Sequence, residues 1–365
     1  MTGGGAPAVD RVLLGCVLAL SCLGLVMVYS VSSVRAAEVY GDGFYFLKRQ
    51  SVALVVGLLV LGVSIRMKPD FWNRLAYPLL GAAIVCLVLV LIPGIGAQVG
   101  GARRWIRAGV ASFQPSELTK IVFLLYIAKS ISKKSDKMGT WSVGILTHGV
   151  VLIILAGLLL AEPDLGTVLV LGFLAAGLLF LGGAKIAHLA GVLFLALPAV
   201  GFLVWHSPYR LRRILSFLDP WNAPQSDGFQ IIQSFLAFGS GGVVGQGLGD
   251  SRQKLFFLPE AHTDFILSVI GEELGLIGVA TVVFLFLTIF LRGMRIARSC
   301  SDPFAQLLAA GISLLLVVEA LTNAAVVMGI FPTKGLALPL VSYGGTSLVM
   351  TLWACGILLG LSAHG

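Results

Sequence analysis

Charge is what this chain lacks. Only 12% of its 365 residues are charged, while 58% are hydrophobic, and the mean hydropathy is +0.98. A soluble domain carries about a quarter charged residues, so a large soluble core is excluded and an integral membrane protein is implied. The net charge of +8 comes without a long block of like charge, which removes the signature of a nucleic-acid-binding tail. Cysteine is scarce too. Cys16, Cys22, Cys86, Cys300 and Cys355 form no CxxC pair, and four lie inside apolar stretches. Neither a disulfide framework nor a zinc site is expected. No cleavable signal is visible, because the first apolar run has no strong basic lead and no small-residue cleavage site. No inverted repeat is visible either, which weighs against a transporter built from two related halves. Nor does any stretch read as a separate soluble domain. Residues 1–365 are expected to form one polytopic membrane domain.

What the chain has is long apolar runs. A helix crossing the hydrocarbon core needs about 20 apolar residues, and lipid cannot satisfy an open backbone, so the spans must be helices. Ten candidates are 12–31, 50–65, 75–92, 117–131, 143–161, 166–183, 187–205, 265–291, 304–331 and 345–361. The expected fold class is an all-α polytopic membrane protein of about ten helices with a large extracytoplasmic loop, 206–263, carrying short interfacial helices. Loops on one side hold Arg66, Lys68, Arg74, Lys129, Lys133, Lys134, Lys137, Lys185, Arg292, Arg295 and Arg298, with few acids among them. Basic loops stay inside, so both termini are expected in the cytoplasm and the long loop outside.

That loop has internal pattern. Leu211, Ile214, Leu215 and Leu218 recur at helical spacing, and the arginines fall mainly on other faces. This suits a helix lying in the interface. Arg210 and Arg213 are three apart and share a face; their forks match phosphate oxygens. A generic anchor to anionic lipid and a grip on a lipid-linked pyrophosphate both fit. Residues 228–235 read as a second short helix. Residues 239–249 are rich in glycine, but no strand precedes them and no Lys-Ser/Thr follows, so a phosphate loop is rejected. Flexible loop or close backbone packing is expected instead.

Ionisable groups at membrane depth are costly and mark function by default. Glu117 and Lys120 follow Pro115-Ser116, a helix start, and lie on one helical face. They read as a mutual ion pair or as the polar wall of an outward cavity. Asp264 stands where the long loop enters the apolar run from Phe265. It reads as a helix N-cap, and also as a carboxylate placed at a water-facing site. Glu272 and Glu273 lie roughly 12–13 Å deeper than Asp264 at the helical rise per residue, and read as partners of buried polar groups. Glu319 and Asn323 are one turn apart and read as helix–helix hydrogen bonders; His148 reads the same way.

Asn323, then Gly329-Ile330-Phe331-Pro332-Thr333-Lys334-Gly335-Leu336, then Pro339-Leu340-Val341-Ser342-Tyr343-Gly344-Gly345-Thr346-Ser347 resembles the signature of the SEDS proteins of shape, elongation, division and sporulation. Arg104-Trp105-Ile106, Gln114-Pro115-Ser116-Glu117-Leu118-Thr119-Lys120, Pro163-Asp164-Leu165-Gly166-Thr167 and Pro259-Glu260-Ala261-His262-Thr263-Asp264-Phe265 agree in order and spacing. Gly271-Glu272-Glu273-Leu274-Gly275 resembles the division branch (FtsW-like) more than the elongation branch (RodA-like). Glu162 stands where the family often has glutamine.

The resemblance implies a ten-helix, GT-C-like peptidoglycan glycosyltransferase that polymerises lipid II in the bacterial cytoplasmic membrane. It implies Asp264 as catalytic base, with Glu117 and Lys120 beside it. Arg104, Arg210, Arg213, Gln233, His262, Lys334 and Ser342 are its candidate substrate contacts. It implies a divalent cation, Mg²⁺ or Mn²⁺, for which Asp264 and Glu117 are possible ligands. The implied partners are lipid II, undecaprenyl-pyrophosphate-linked glycan, a class B penicillin-binding protein and other divisome membrane proteins, with no nucleic acid. A lipid II flippase and a non-catalytic scaffold are the competing functions.

Overall fold

The computed structural model describes residues 9–99, 102–108, 111–222, 224, 228–251, 261–332 and 335–364. Lys334, and Pro259 and Glu260 of the acidic motif, lie outside the described residues. Ten long helices occur where the apolar runs place them. They are α1 (Arg11–Tyr40), α2 (Tyr45–Ile65), α3 (Pro69–Leu91), α4 (Pro115–Lys133), α5 (Thr147–Ala161), α6 (Leu165–Leu181), α7 (Ile186–Trp205), α10 (Ile266–Ser299), α11 (Pro303–Val327) and α12 (Gly345–His364). Between α7 and α10 come two shorter helices, α8 (Pro208–Leu218) and α9 (Phe229–Gly241). Among the described residues, eight helices are long and apolar enough to cross a membrane, α5 counting with the π-helical turn that precedes it. α6 is equally apolar but has 17 residues.

α4 is the exception by composition and the centre by position. Glu117, Lys120, Lys129 and Lys133 interrupt its apolar run. Yet from Ser116 to Ile131 all but Glu117, Leu118 and Lys129 are buried, among α3, α6, α11 and α12. A helix buried all round packs protein rather than lipid, so its charges meet partners instead of hydrocarbon. α7 is the opposite case: none of its residues is buried.

A small antiparallel sheet joins α3 to α4 and was not anticipated. Its strands β1 (Gly96–Val99), β2 (Ala102–Ala108) and β3 (Ala111–Phe113) run in the order β1-β2-β3. Ile106 pairs with Gly96 on one side and Phe113 on the other. Thr346, at the start of α12, donates to the Ser112 carbonyl at 2.8 Å and ties the sheet to the bundle. At the other end of the bundle, Asp10 caps α1 by accepting from Leu13 N at 2.9 Å. The same carboxylate takes the Arg292 guanidinium of α10 at 2.7 Å, and Asp10 N donates to Ser362 of α12 at 3.1 Å.

α10 is not one straight helix. Gly275 breaks it, with φ +65° and ψ −164°, a conformation that essentially only glycine adopts. The backbone groups freed there are taken up by the glycine-rich stretch after α9. Gln246 N and Gly247 N donate to the carbonyls of Glu272 and Glu273, each at 3.0 Å, and Leu276 N donates to Gly242 O at 3.0 Å. A Cβ on Gly275 would lie 2.3 Å from Gly245 N. Close backbone packing is therefore the role of residues 239–249, as expected. The break falls after Glu272 and Glu273, which stay on the first segment of α10. Both serve as partners of buried hydroxyls: Ser30 donates to Glu273 at 2.7 Å, and Ser251 donates to Glu272.

Candidate functional site

Asp264 is half-buried and lies just before α10. It is not the N-cap. The helix begins at Ile266 with Phe265 in the capping position. The Asp264 main chain is held by α11. Asn323 of α11 uses its one amide nitrogen twice, donating to Asp264 O at 2.8 Å and to Leu336 O at 2.7 Å. Asn323 therefore bonds between elements, as the sequence suggested. A Cβ on Gly335 would stand 3.1 Å from Asp264 Oδ2, so that glycine leaves the carboxylate its space.

The residues before Asp264 are fixed by the loop between α11 and α12. Tyr343 N donates to His262 O at 2.9 Å. Ser342 donates from Oγ to Thr263 O at 2.5 Å and accepts from Leu338 N at 2.8 Å. The Ser342 hydroxyl, read from the sequence as a substrate contact, is buried and engaged by main chain on both sides. Gln50 of α2 then clamps the loop, donating to Ser342 O at 3.1 Å and accepting from Gly344 N at 3.2 Å. Sequence reasoning missed Gln50. A buried amide at the start of an apolar run was the available signal. The His262 ring packs against Phe46 and Tyr343, with centroids 5.0 and 5.6 Å away.

Lys120 reaches two acids. Its ammonium lies 2.8 Å from Glu117 Oε1 on its own helix and also bonds Glu319 of α11. The ion pair expected between Glu117 and Lys120 is present, with a second carboxylate added. All three side chains are at most 14% exposed. The cavity beside them, lined also by Met350 and Thr351, has room for about one water. Glu319 was assigned to hydrogen bonding alongside Asn323. Its partner on α4 is 199 positions away in sequence.

Arg104 donates from Nε to Glu162 O at 2.9 Å and from Nη2 to Pro163 O at 2.6 Å. It fastens the sheet to the turn between α5 and α6. The Glu162 side chain in that turn is fully buried, and neither carboxyl oxygen has a hydrogen-bond partner. Burial foremost, with Asp164 nearby adding to it and Arg104 opposing, pushes its pKa up to about 8. The sign follows from linkage. The folded chain holds this proton more tightly than the unfolded chain, whose value lies near 4.5. Stability from this group is full below about pH 4.5 and is lost as pH rises toward 8. Glu162→Gln should therefore raise the melting temperature at pH 8 and leave it unchanged at pH 4.5. Thermal unfolding at the two pH values checks this, and an equal change at both would contradict it.

α8 forms as its spacing required. Of its three arginines, Arg210 donates to Leu203 O at 3.1 Å, and the Arg213 guanidinium lies 4.6 Å from the centre of the Tyr209 ring. Gln233 is half-buried on α9. Beside it, Ser234 donates to Val327 O at 2.6 Å and lies 2.8 Å from Ser268 Oγ, which fixes α9 against α10 and α11. Among the described residues no three His, Cys, Asp or Glu side chains gather as a metal cage. One Glu117 oxygen is engaged by Lys120.

The comparisons point one way. The family model for FtsW, RodA and SpoVE cell cycle proteins matches residues 10–365. A relative from Geobacter sulfurreducens, named as a probable peptidoglycan glycosyltransferase FtsW, is 51% identical over 355 residues, covering 97% of this chain and 95% of its own length. One of the same name from Trichlorobacter lovleyi is 53% identical over 354 residues, covering 97% and 93%. Among solved structures, a chain of a peptidoglycan synthase complex that coordinates polymerization and crosslinking superposes with TM-score 0.80 at 34% identity, covering 97% and 98%. The rod shape-determining protein RodA of Thermus thermophilus superposes with TM-score 0.73 at 31% identity, covering 97% of each chain.

Proposed function

Because this chain belongs to the FtsW/RodA/SpoVE family, we propose that it is a peptidoglycan glycosyltransferase of the division branch that polymerises lipid II. The observation that carries the mechanism is Asp264, half-buried and held through its main chain by Asn323, with the 335–344 loop beside it. The donor is a glycan on undecaprenyl pyrophosphate, and the acceptor is a sugar hydroxyl of a second lipid II. Joining an α-linked pyrophosphate to a β-linked product inverts the reacting carbon. Direct displacement needs one base and no covalent intermediate. Asp264 takes the hydroxyl proton, the hydroxyl oxygen bonds the sugar carbon, and pyrophosphate leaves with the bonding electrons. The leaving group needs positive charge rather than an acid. Arg210 and Arg213 supply it from α8. A divalent cation on Asp264 and the phosphates would add to that charge.

The rest of the reading concerns placement. Both substrates keep their lipid tails in the bilayer, so the reaction belongs at the outer face, with both termini in the cytoplasm. The likeness to a chain of a synthase complex supports a class B penicillin-binding protein as partner. Reconstitution into liposomes with labelled lipid II tests the assignment. Chain growth is expected at the face that carries the long loop. Translocation of label without chain growth would replace the enzyme by a flippase.

A further inference from the structure

Two features of the buried polar residues are unresolved by the bonds described so far. The first concerns charge. One ammonium, Lys120, serves two carboxylates, Glu117 and Glu319, with all three side chains buried or nearly so. Two ionised acids on one cation leave a negative charge in excess, which burial strongly disfavours. The second concerns Asn323. Its amide nitrogen donates to two carbonyls, which fixes the amide orientation and makes Oδ1 the acceptor. That Oδ1 is buried and has no partner. Buried acceptors are rarely left unmade.

Glu319 and Asn323 are four apart on α11, so they lie on one face, a turn from each other. We propose that Glu319 is a neutral carboxylic acid whose hydrogen is donated directly to Asn323 Oδ1, making Glu319 a positioning residue for Asp264. One proton then removes the excess charge and satisfies the orphan acceptor together. Glu319 carries it rather than Glu117 for a physical reason. Glu117 is in the first turn of α4, where the helix dipole favours a carboxylate, and it is the more exposed of the two. Glu319 lies deep within α11, with no helix end nearby. The cavity that Glu117 and Glu319 share admits about one water, but Asn323 does not line it, so the Glu319–Asn323 bond is direct. The result is a rigid line from Lys120 through Glu319 and Asn323 to the Asp264 carbonyl.

The proposal rests on Asp264 as base, and its test separates the two. In purified protein in lipid nanodiscs, infrared spectra at neutral pH should show a protonated-carboxyl band that Glu319→Gln lacks and that shifts in Asn323→Ala. Glutamine keeps a donor for Asn323 and an acceptor for Lys120. Polymerisation by Glu319→Gln should therefore stay near wild type. Glu319→Ala should lose kcat roughly tenfold to hundredfold, with KM little changed. Absence of the band in wild type overturns the proposal. So does a Glu319→Gln protein that loses as much activity as Glu319→Ala. An active Asp264→Asn protein would remove the base assignment while leaving the infrared result standing.

Discussion

Asp264→Asn should fold as the wild type does and make no glycan from purified lipid II. Asparagine matches the carboxylate in shape, and the main-chain bond from Asn323 to Asp264 O is kept whatever the side chain. The space beside Gly335 accepts either side chain. What asparagine cannot do is take a proton. General-base catalysis contributes typically 10²–10⁴-fold, so strands resolved on a gel should disappear or fall by about that factor. The thermal midpoint should move little. Polymerisation at the wild-type rate would take the base role away from Asp264 and reopen the scaffold reading.

Gly275→Ala should be the most damaging change far from the reacting groups. Its φ of +65° and ψ of −164° fall in a region that costs a side-chain-bearing residue of order 1–3 kcal/mol. A Cβ would also sit 2.3 Å from Gly245 N and 2.5 Å from Val243 O, both main-chain atoms that cannot turn aside. The strain and the collision together predict a loss of roughly 2–4 kcal/mol. They also predict separation of the glycine-rich stretch from α10. Gly62→Ala is the control, because nothing lies within 4 Å of its added Cβ. A large drop in melting temperature for Gly275→Ala beside an unchanged Gly62→Ala supports the account. Equal behaviour of the two would refute it.

The bilayer made most of this fold legible. Lipid requires spanning backbone to be satisfied within the segment or by packed protein, so apolar runs located the ten long helices, and the spacing of Leu211, Ile214, Leu215 and Leu218 found α8. The sheet at 96–113 escaped because strands of three to seven residues are too short for a period to stand out. The break in α10 escaped because a lone glycine in an apolar run rarely stops a helix; here tertiary bonds from residues 242–247 stop it. At the site, Asp264, Glu117 and Lys120 were legible because ionisable groups are so rare in this chain. Their partners were less so. Glu319 bonds Lys120 across 199 positions, and Gln50 bonds the Ser342 carbonyl across 292. Pairing at such separations leaves no local pattern. Ser342 was read as a ligand contact because a hydroxyl in a motif looks available. Only the fold reveals that main chain already occupies it.

The clamp made by Gln50 and the grip made by Asn323 have a consequence for biogenesis. They come from opposite ends of the polypeptide, α2 and α11, and both must be seated before the aspartate is framed. A nascent chain with only its early segments inserted therefore carries no competent centre. Chemistry on the precursor lipid waits until the last helices have been laid into the membrane.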